Sequence, residues 1–318
     1  MSRIPTCREV ERDLVAVAAG EAGATAAQEV ERHVETCREC RDELQRYRVL
    51  EGMVSDLRRA PMPEADPALA RAELESKLTD IRSRLVTYGI FPSPLGRILI
   101  ARSELGVSMV RYVSSDASAR ARLAQLGGDE VMEDEAAVEP VYRELLDYLH
   151  ARGTRLNWAL DLRWATSDFQ KRVLAATAEL PYGAVASYGG IAKRVGAPES
   201  VRAVAQALRH NPLPIVIPCH RVIGGTGDLT GYAGTRIGLK EQLLSLEGVP
   251  VSSGARRIDR RHMYVWVAPY TEYCVPTCGS IPEMPLSELT LFGSRGHAEA
   301  VGLSPCSSCR PDLHPVSA

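Results

Sequence analysis

The placement of eight cysteines divides this 318-residue chain before any other feature is considered. Cys7 and the Cys37/Cys40 pair lie toward one end, the Cys274/Cys278 and Cys306/Cys309 pairs toward the other, and Cys219 stands alone between them. Thiols with two or three residues between them, and with no secretory context, suit a shared metal ion better than disulfides. The Leu14–Ala19 run could pass for an export signal, but it is too short, and Glu9, Glu11, Arg12 and Asp13 crowd its front edge. No stretch reaches the ~20 apolar residues of a membrane span. The expectation is a cytoplasmic protein of two or three domains with no membrane contact. A net charge of −2 rules out a globally basic coat, so any nucleic-acid contact must come from local patches.

Cys219 lies in Pro212-Leu-Pro-Ile-Val-Ile-Pro-Cys-His-Arg-Val222. A thiol attacks only as the thiolate, and His220 is at hand to take or share its proton. A Cys-His pair alone also fits a buried thiol beside a surface imidazole. What favours a nucleophile is the setting, in which Pro212, Pro214 and Pro218 stiffen the approach and Asn211 can bond backbone groups and hold the turn. A Cys-His hydrolase is the alternative chemistry. Its acyl intermediate would turn over.

Near the start, His33-x3-Cys37-x2-Cys40 falls in a helix-patterned stretch, and spacings of i, i+4 and i+7 put the three side chains on one helical face. Cys7 supplies the fourth ligand that tetrahedral zinc requires. Unrelated surface thiols are the competing reading. Ala60–Pro67 reads as a linker, followed by a helix-compatible run over 68–84. Short β-type runs at 85–91, 97–101 and 107–113, separated by Gly-containing turns, suggest a small antiparallel sheet. Between Tyr182 and Asn211 two short helices are separated at Gly196-Ala-Pro198. In the second, Val201, Val204, Ala205 and Leu208 should face the core; Arg202, Gln206 and Arg209 share the other side, with Ala203 and Ala207 beside them. Such a pair suits a helix-turn-helix DNA reader, although a solvated basic face has the same composition.

The glycine-rich Gly224–Gly234 segment lacks the Gly-Lys-Ser/Thr ending of a phosphate loop, so nucleotide binding is discarded. Ser252–His262 carries clustered arginines and reads as a solvated linker or a nonspecific phosphate contact. In the last segment, C-x3-C and C-x2-C place Cys274, Cys278, Cys306 and Cys309 as a closed, all-cysteine zinc site.

Asn211-Pro212 followed by Ile217-Pro-Cys-His-Arg-Val222 resembles the active-site signature of the O6-alkylguanine-DNA alkyltransferases. The similarity continues through Phe169-Gln-Lys-Arg-Val-Leu, Pro181-Tyr-Gly, Ser187-Tyr-Gly-Gly-Ile-Ala, Val201-Arg-Ala-Val, Gly231-Tyr-Ala-Gly234 and Lys240–Gly248, over about half the chain. The resemblance implies DNA repair by stoichiometric transfer of the alkyl group from O6-alkylguanine in double-stranded DNA to Cys219, each molecule acting once. It also implies the roles. Glu247 orients His220, His220 draws the proton from Cys219 through a water, Asn211 braces the turn, and Tyr188 protonates the departing base. Arg202 is the finger that fills the space of the flipped nucleotide, with Ala203, Gln206 and Arg209 on the DNA. The base pocket comprises Tyr188, Val222, Tyr232 and Ala233. Ala233–Lys240 is longer than the family pattern, which alters one pocket wall.

The first fifty or so residues resemble the zinc-binding anti-sigma-factor domain, which implies a sigma factor as partner. The last segment resembles the metal-binding domain of the Ada alkylation-response protein, where the first cysteine, here Cys274, is a second methyl acceptor for DNA phosphotriesters. Val275, Ser304, Ser307 and Ser308 stand where that family carries basic residues, which favours a structural or partner-binding zinc module. The expected fold is an α+β multidomain chain: an anti-sigma-like helical zinc domain over 1–58, a linker and helix over 59–84, the two alkyltransferase halves over 85–168 and 169–250, a basic linker over 251–262 and an Ada-like domain over 263–318. The rival reading is an alkylation-sensing regulator in which transfer is mainly a signal.

Overall fold

A computed structural model describes residues 5–59, 67–124, 130–165, 167–234, 236–252 and 254–316. The linker expected over 60–67 lies outside the described residues apart from Pro67. The chain forms two compact units, Met1–Glu75 and Ser76–Ala318. Among the described residues no helix is long and apolar enough to cross a membrane.

The first unit holds α1 (Cys7–Val10), α2 (Leu14–Ala18), α3 (Ala24–Thr36) and α4 (Arg38–Arg59), and the unit boundary falls within α5 (Pro67–Arg84). Glu9 closes the start of α1, its carboxylate accepting from the Thr6 backbone N–H at 2.7 Å and from the Thr6 hydroxyl at 2.9 Å. The buried core of this unit is Val10, Leu14, Val30, Cys40 and Leu44. A core that small leaves such a unit dependent on a further cross-link, such as a metal. The single helix expected through His33, Cys37 and Cys40 does not form. Cys37 adopts an extended conformation (φ −106°, ψ 112°), and the chain turns there from α3 into α4. The Arg41 guanidinium satisfies carbonyls left open by the break, donating to Val34 O at 2.8 Å and Glu35 O at 2.6 Å.

The second unit begins with β1 (Leu85–Phe91), β2 (Ile98–Ser103) and β3 (Gly106–Tyr112), then α6 (Asp116–Leu123), β4 (Glu130–Glu133) and α7 (Glu135–Leu149). The sheet order is β3-β2-β1-β4. β1, β2 and β3 pair antiparallel, as the short runs predict, and β4 adds a parallel edge to β1. The α7 helix covers one face, where Tyr142 stacks on Phe91 with ring centroids 4.2 Å apart.

The rest comprises α8 (Asp168–Ala178), β5 (Ala184–Ser187), α9 (Tyr188–Arg194), α10 (Val201–Arg209), β6 (Val222–Ile223), α11 (Ile237–Leu246), β7 (Tyr264–Trp266), β8 (Glu272–Cys274), β9 (Thr290–Phe292), α12 (Arg295–Ala300) and β10 (Ser304–Pro305). Its strands form one sheet in the order β10-β8-β7-β9-β5-β6. The largest apolar core joins Ile98, Ile100 and Leu145 of the first sheet and its helix to Leu174, Ile191, Leu213 and Cys219. That shared core fixes the Cys219 turn against both halves.

Candidate active site

The residues around Cys219 make a short 3-10 turn, Cys219–Arg221, that feeds directly into β6. Asn211 holds this turn as its chemistry predicts. Its Oδ1 accepts from Leu213 N–H at 2.9 Å, and its Nδ2 donates to Ile217 O at 2.9 Å and reaches Cys219 Sγ at 3.3 Å. Arg111, from β3, donates to the Asn211 carbonyl and ties the first sheet to the turn. Burial pushes the Cys219 thiol upward, while the Asn211 contact and the cations Lys240 and Arg111 pull against it. The sulfur therefore rests as a thiol and needs a base.

His220 and Glu247 are both fully buried, with His220 Nε2 2.6 Å from Glu247 Oε1. Arg221 completes a tight group, donating from Nε to Glu247 Oε2 at 2.8 Å and from Nη2 to Oε1 at 3.0 Å. The Tyr148 hydroxyl donates to Oε1, and the Gly183 backbone N–H donates to Oε2 at 3.2 Å. Burial alone would raise the Glu247 carboxyl, but the charges and hydrogen bonds of His220 and Arg221 overcome it and hold the group far below the usual carboxylate range. Burial lowers His220, against the pull of Glu247, and its Nδ1 is buried without a hydrogen-bond partner. A neutral imidazole with one nitrogen committed to a carboxylate and the other open is a base awaiting a proton.

A cavity of about 630 Å³ opens on Cys219 and is lined by Tyr188, Arg202, Gln206, Arg209, Tyr232 and Ala233, among others. The Tyr188 hydroxyl lies 3.5 Å from Thr230 O, and the Tyr232 hydroxyl lies 3.0 Å from that of Tyr112. One residue expected in the base pocket falls elsewhere: Val222 is fully buried in β6 and contributes its carbonyl to Lys240. Ala203 is exposed on α10 beside Arg202 and does not line the cavity. The α10 helix is also rotated from the sequence pattern. Val204 and Leu208 are buried as expected, but Ala207 joins them, while Val201 is 39% exposed and lines the cavity with half-buried Ala205. Val201 is the first residue of the helix, so its turn projects past the edge of the core.

The two cysteine clusters assemble as well. The possible ligand atoms of Cys7, His33, Cys37 and Cys40 lie within 4.8 Å of one another, as do those of Cys274, Cys278, Cys306 and Cys309. His33 Nδ1 bonds Pro5 O at 2.7 Å, leaving Nε2 buried and without a partner, as a ligand nitrogen requires. In each C-x2-C pair the second cysteine's backbone N–H points at the first sulfur. Chiefly for that reason Cys37 and Cys306 are each pulled down to about 7, near the thiolate form that binds metal. Both donor sets fit a tetrahedral soft cation.

The family model described as the DNA binding domain of 6-O-methylguanine DNA methyltransferase matches residues 168–249, and that of its ribonuclease-like domain matches 86–162. Over 161 residues the chain is 39% identical to the methylated-DNA–protein-cysteine methyltransferase of Methanosarcina acetivorans, a match spanning 51% of this chain and 97% of that protein. The chain belongs to the methylated-DNA–protein-cysteine methyltransferase family. The constitutive methyltransferase of Bacillus subtilis is 36% identical, with 51% of this chain and 95% of that protein covered. The O6-methylguanine methyltransferase structure from Mycobacterium tuberculosis is 35% identical over 53% of this chain and 96% of its own, with a TM-score of 0.44. A zinc-finger family model matches residues 7–41 of this methyltransferase, spanning the Cys7, His33, Cys37 and Cys40 cluster.

Sequence reasoning passed over Arg221, Tyr148, Lys240 and Gly183 as site residues. Arg221 stood inside the Pro-Cys-His-Arg motif, and a charge amid such an apolar run is itself a signal of a buried pair. Lys240 is likewise fully buried, donating to Val222 O and to Thr230 O at 3.0 Å, and burial lowers it to about 8. Tyr148 left no local signal, because it meets Glu247 across 99 residues of chain.

Proposed function

We propose that this methyltransferase repairs O6-alkylguanine in double-stranded DNA by a single transfer of the alkyl group to Cys219, with His220 as base and Glu247 as its orienter. The observation that carries the reading is that the neighbouring buried residues Cys219 and His220 are held by Asn211 and Glu247 respectively, with Cys219 opening on a cavity beneath α10. The damaged base is flipped into that cavity, and Arg202, Gln206 and Arg209 on the exposed face of α10 meet the DNA. His220 Nδ1 takes the Cys219 proton through one bridging water, and Glu247 stabilises the imidazolium. The thiolate attacks the alkyl carbon. A sulfur–carbon bond forms, the bond from carbon to O6 breaks, and its electron pair goes to the guanine, which takes a proton from Tyr188. Burial raises the Tyr188 phenol, so it is protonated and able to donate at neutral pH. The thioether product has no bond that water can cleave, so turnover stops after one event. A second cavity of about 720 Å³, bounded by Pro212, Pro214 and Arg111, also reaches Cys219 and offers space beside the base for the alkyl chain.

Zinc would be held by Cys7, His33, Cys37 and Cys40 in the first unit, cross-linking helices with little core of their own, and by the four C-terminal cysteines in the second. For the first unit a protein partner, by resemblance a sigma factor, is supported by the apolar stripe on α4, where Leu50, Met53 and Leu57 are 55%, 60% and 75% exposed. We place the protein in the cytoplasm, where thiols stay reduced.

Intact mass before and after exposure to duplex DNA carrying O6-methylguanine tests the reading. One methyl per chain, mapped to Cys219 and absent in Cys219→Ala, is expected; repeated release of product without a mass increase would assign a hydrolase instead. The Ala variant should fold, since only a small thiol is lost from the core.

A further inference from the structure

The four-cysteine segment is built into the catalytic half through a shared sheet. β9 pairs antiparallel with β5 (Ala184↔Phe292, Ala186↔Thr290), and β5 pairs in parallel with β6, the strand that leaves the Cys219 turn. At the end of β9 the backbones touch: Gly293 N–H donates to Gly183 O at 2.9 Å, and a Cβ on Gly293 would stand 2.2 Å from Gly248 O. The end of β9 therefore packs directly on the backbone of Gly248, the residue after Glu247.

Ser294 caps α12, accepting from the His297 backbone N–H at 3.2 Å, and so fixes the backbone that carries the His297 ring. That ring lies flush on Gly183, where an added Cβ would stand 2.0 Å from Nδ1, and its edge lies 3.4 Å from the Cβ position of Gly248. It also meets Tyr182 edge-on, with centroids 5.5 Å apart at 80°. Tyr182 in turn meets Tyr148 at 5.8 Å and donates from its hydroxyl to Leu246 O at 3.1 Å. Gly183 and Tyr148 are donors to Glu247, and Gly248 follows it in the chain. His297 Nδ1 is buried and has no hydrogen-bond partner, so the ring acts here by its shape.

We propose that His297 is a positioning residue for the transfer reaction: delivered by α12 of the C-terminal segment, it clamps the Gly183–Tyr182 turn against Gly248 and thereby holds Glu247 in line with His220. This rests on the reading of Cys219, His220 and Glu247 given above. A consequence is that the C-terminal segment is a working part of the transfer site as well as a module of its own. Misplacing a relay carboxylate by a fraction of an ångström slows a reaction out of proportion to the packing lost.

The test is the rate of methyl transfer from O6-methylguanine DNA, followed against pH, in the full chain carrying His297→Ala or His297→Phe. The Ala variant should be slower by about tenfold or more. Its rising limb should move to lower pH, because a slack Glu247 stabilises the His220 imidazolium less and the ring sheds its proton sooner. The Phe variant keeps the ring and should stay within about threefold of wild type. If His297→Ala does not fold, His297→Leu, which fills the space without a ring, takes its place with the same expectation. An unchanged pH profile or a Phe variant as slow as Ala would each overturn the clamp. A wild-type chain that gains no methyl on Cys219 would instead defeat the underlying reading of the site.

Discussion

Glu247 Oε1 lies 2.6 Å from His220 Nε2, and neither side chain is exposed to solvent. Because Glu247 accepts at Nε2, the imidazole carries its proton there and leaves the lone pair of Nδ1 for the thiol side. Arg221, 2.8 Å from the other carboxylate oxygen, keeps Glu247 ionised throughout.

Glu247→Gln should therefore cost both stability and rate. Removing one member of a buried, hydrogen-bonded charge pair costs about 3–5 kcal/mol, most of it from the stranded Arg221. The pH dependence follows from the depressed carboxyl. Its contribution is fully present above the unfolded value near 4.5 and drains away as pH falls toward the much lower folded value. Urea unfolding of wild type should weaken steadily below pH 4.5, with a flatter dependence in Glu247→Gln. Equal acid sensitivity in the two proteins would show that Glu247 is not the group responsible.

Arg202→Ala should slow repair of duplex DNA while leaving reaction with free O6-benzylguanine within about twofold, because the guanidinium acts on the helix and not on the carbon attacked. Arg202 is exposed at the cavity mouth near the start of α10, where it can enter a duplex without disturbing the core. Parallel kinetics on the two substrates decide the matter, equal losses counting against a finger role.

His33→Ala should lower the metal content of the chain by one ion and loosen the first unit, with Cys219 transfer unaffected. The ring is buried, bonded to Pro5 O through Nδ1, and presents Nε2 to three sulfurs. Elemental analysis with limited proteolysis measures both effects. Unchanged metal content would remove His33 from the ligand set.

The legible parts of this chain were those in which chemistry is local. The Asn211 brace, the Cys219 turn, the His33–Cys40 run and the paired C-terminal cysteines each lie within about ten residues, and short-range steric and hydrogen-bond rules constrain them tightly. The helix break at Cys37 escaped because i, i+4, i+7 spacing fits one helix face and also two helices meeting at a ligand. The α10 rotation escaped because an amphipathic count cannot tell a valine in the first turn, past the edge of the core, from one inside it. Tyr148 and Gly183 converge on Glu247 from distant segments, and His297 reaches Gly183 from the segment that β9 joins to β5.

The last prediction is that the C-terminal cluster binds zinc yet takes little or no methyl from DNA phosphotriesters. A methylphosphotriester is neutral, so a protein holds it by cations on the flanking phosphates. The arginines left to do so are already engaged. Arg310 pairs with Asp312 at 2.8 Å, Arg261 pairs with Asp259, and Arg260 donates to Met284 O at 2.8 Å. Arg256 and Arg257 each lie 3.8 Å from a carboxylate, Glu241 and Asp228. A cavity of about 300 Å³ does reach Cys274 and Cys278, but Glu272 lines it, and a carboxylate there repels phosphate. Zinc would keep Cys274 anionic, so the sulfur itself would be competent and only the grip is missing. Peptide mapping after exposure to methylphosphotriester DNA should find methyl on Cys274 in under about a tenth of chains, and Glu272→Lys should raise that fraction by restoring a phosphate contact. Stoichiometric methyl on wild-type Cys274 would make the protein a two-lesion acceptor and show that grip is not limiting.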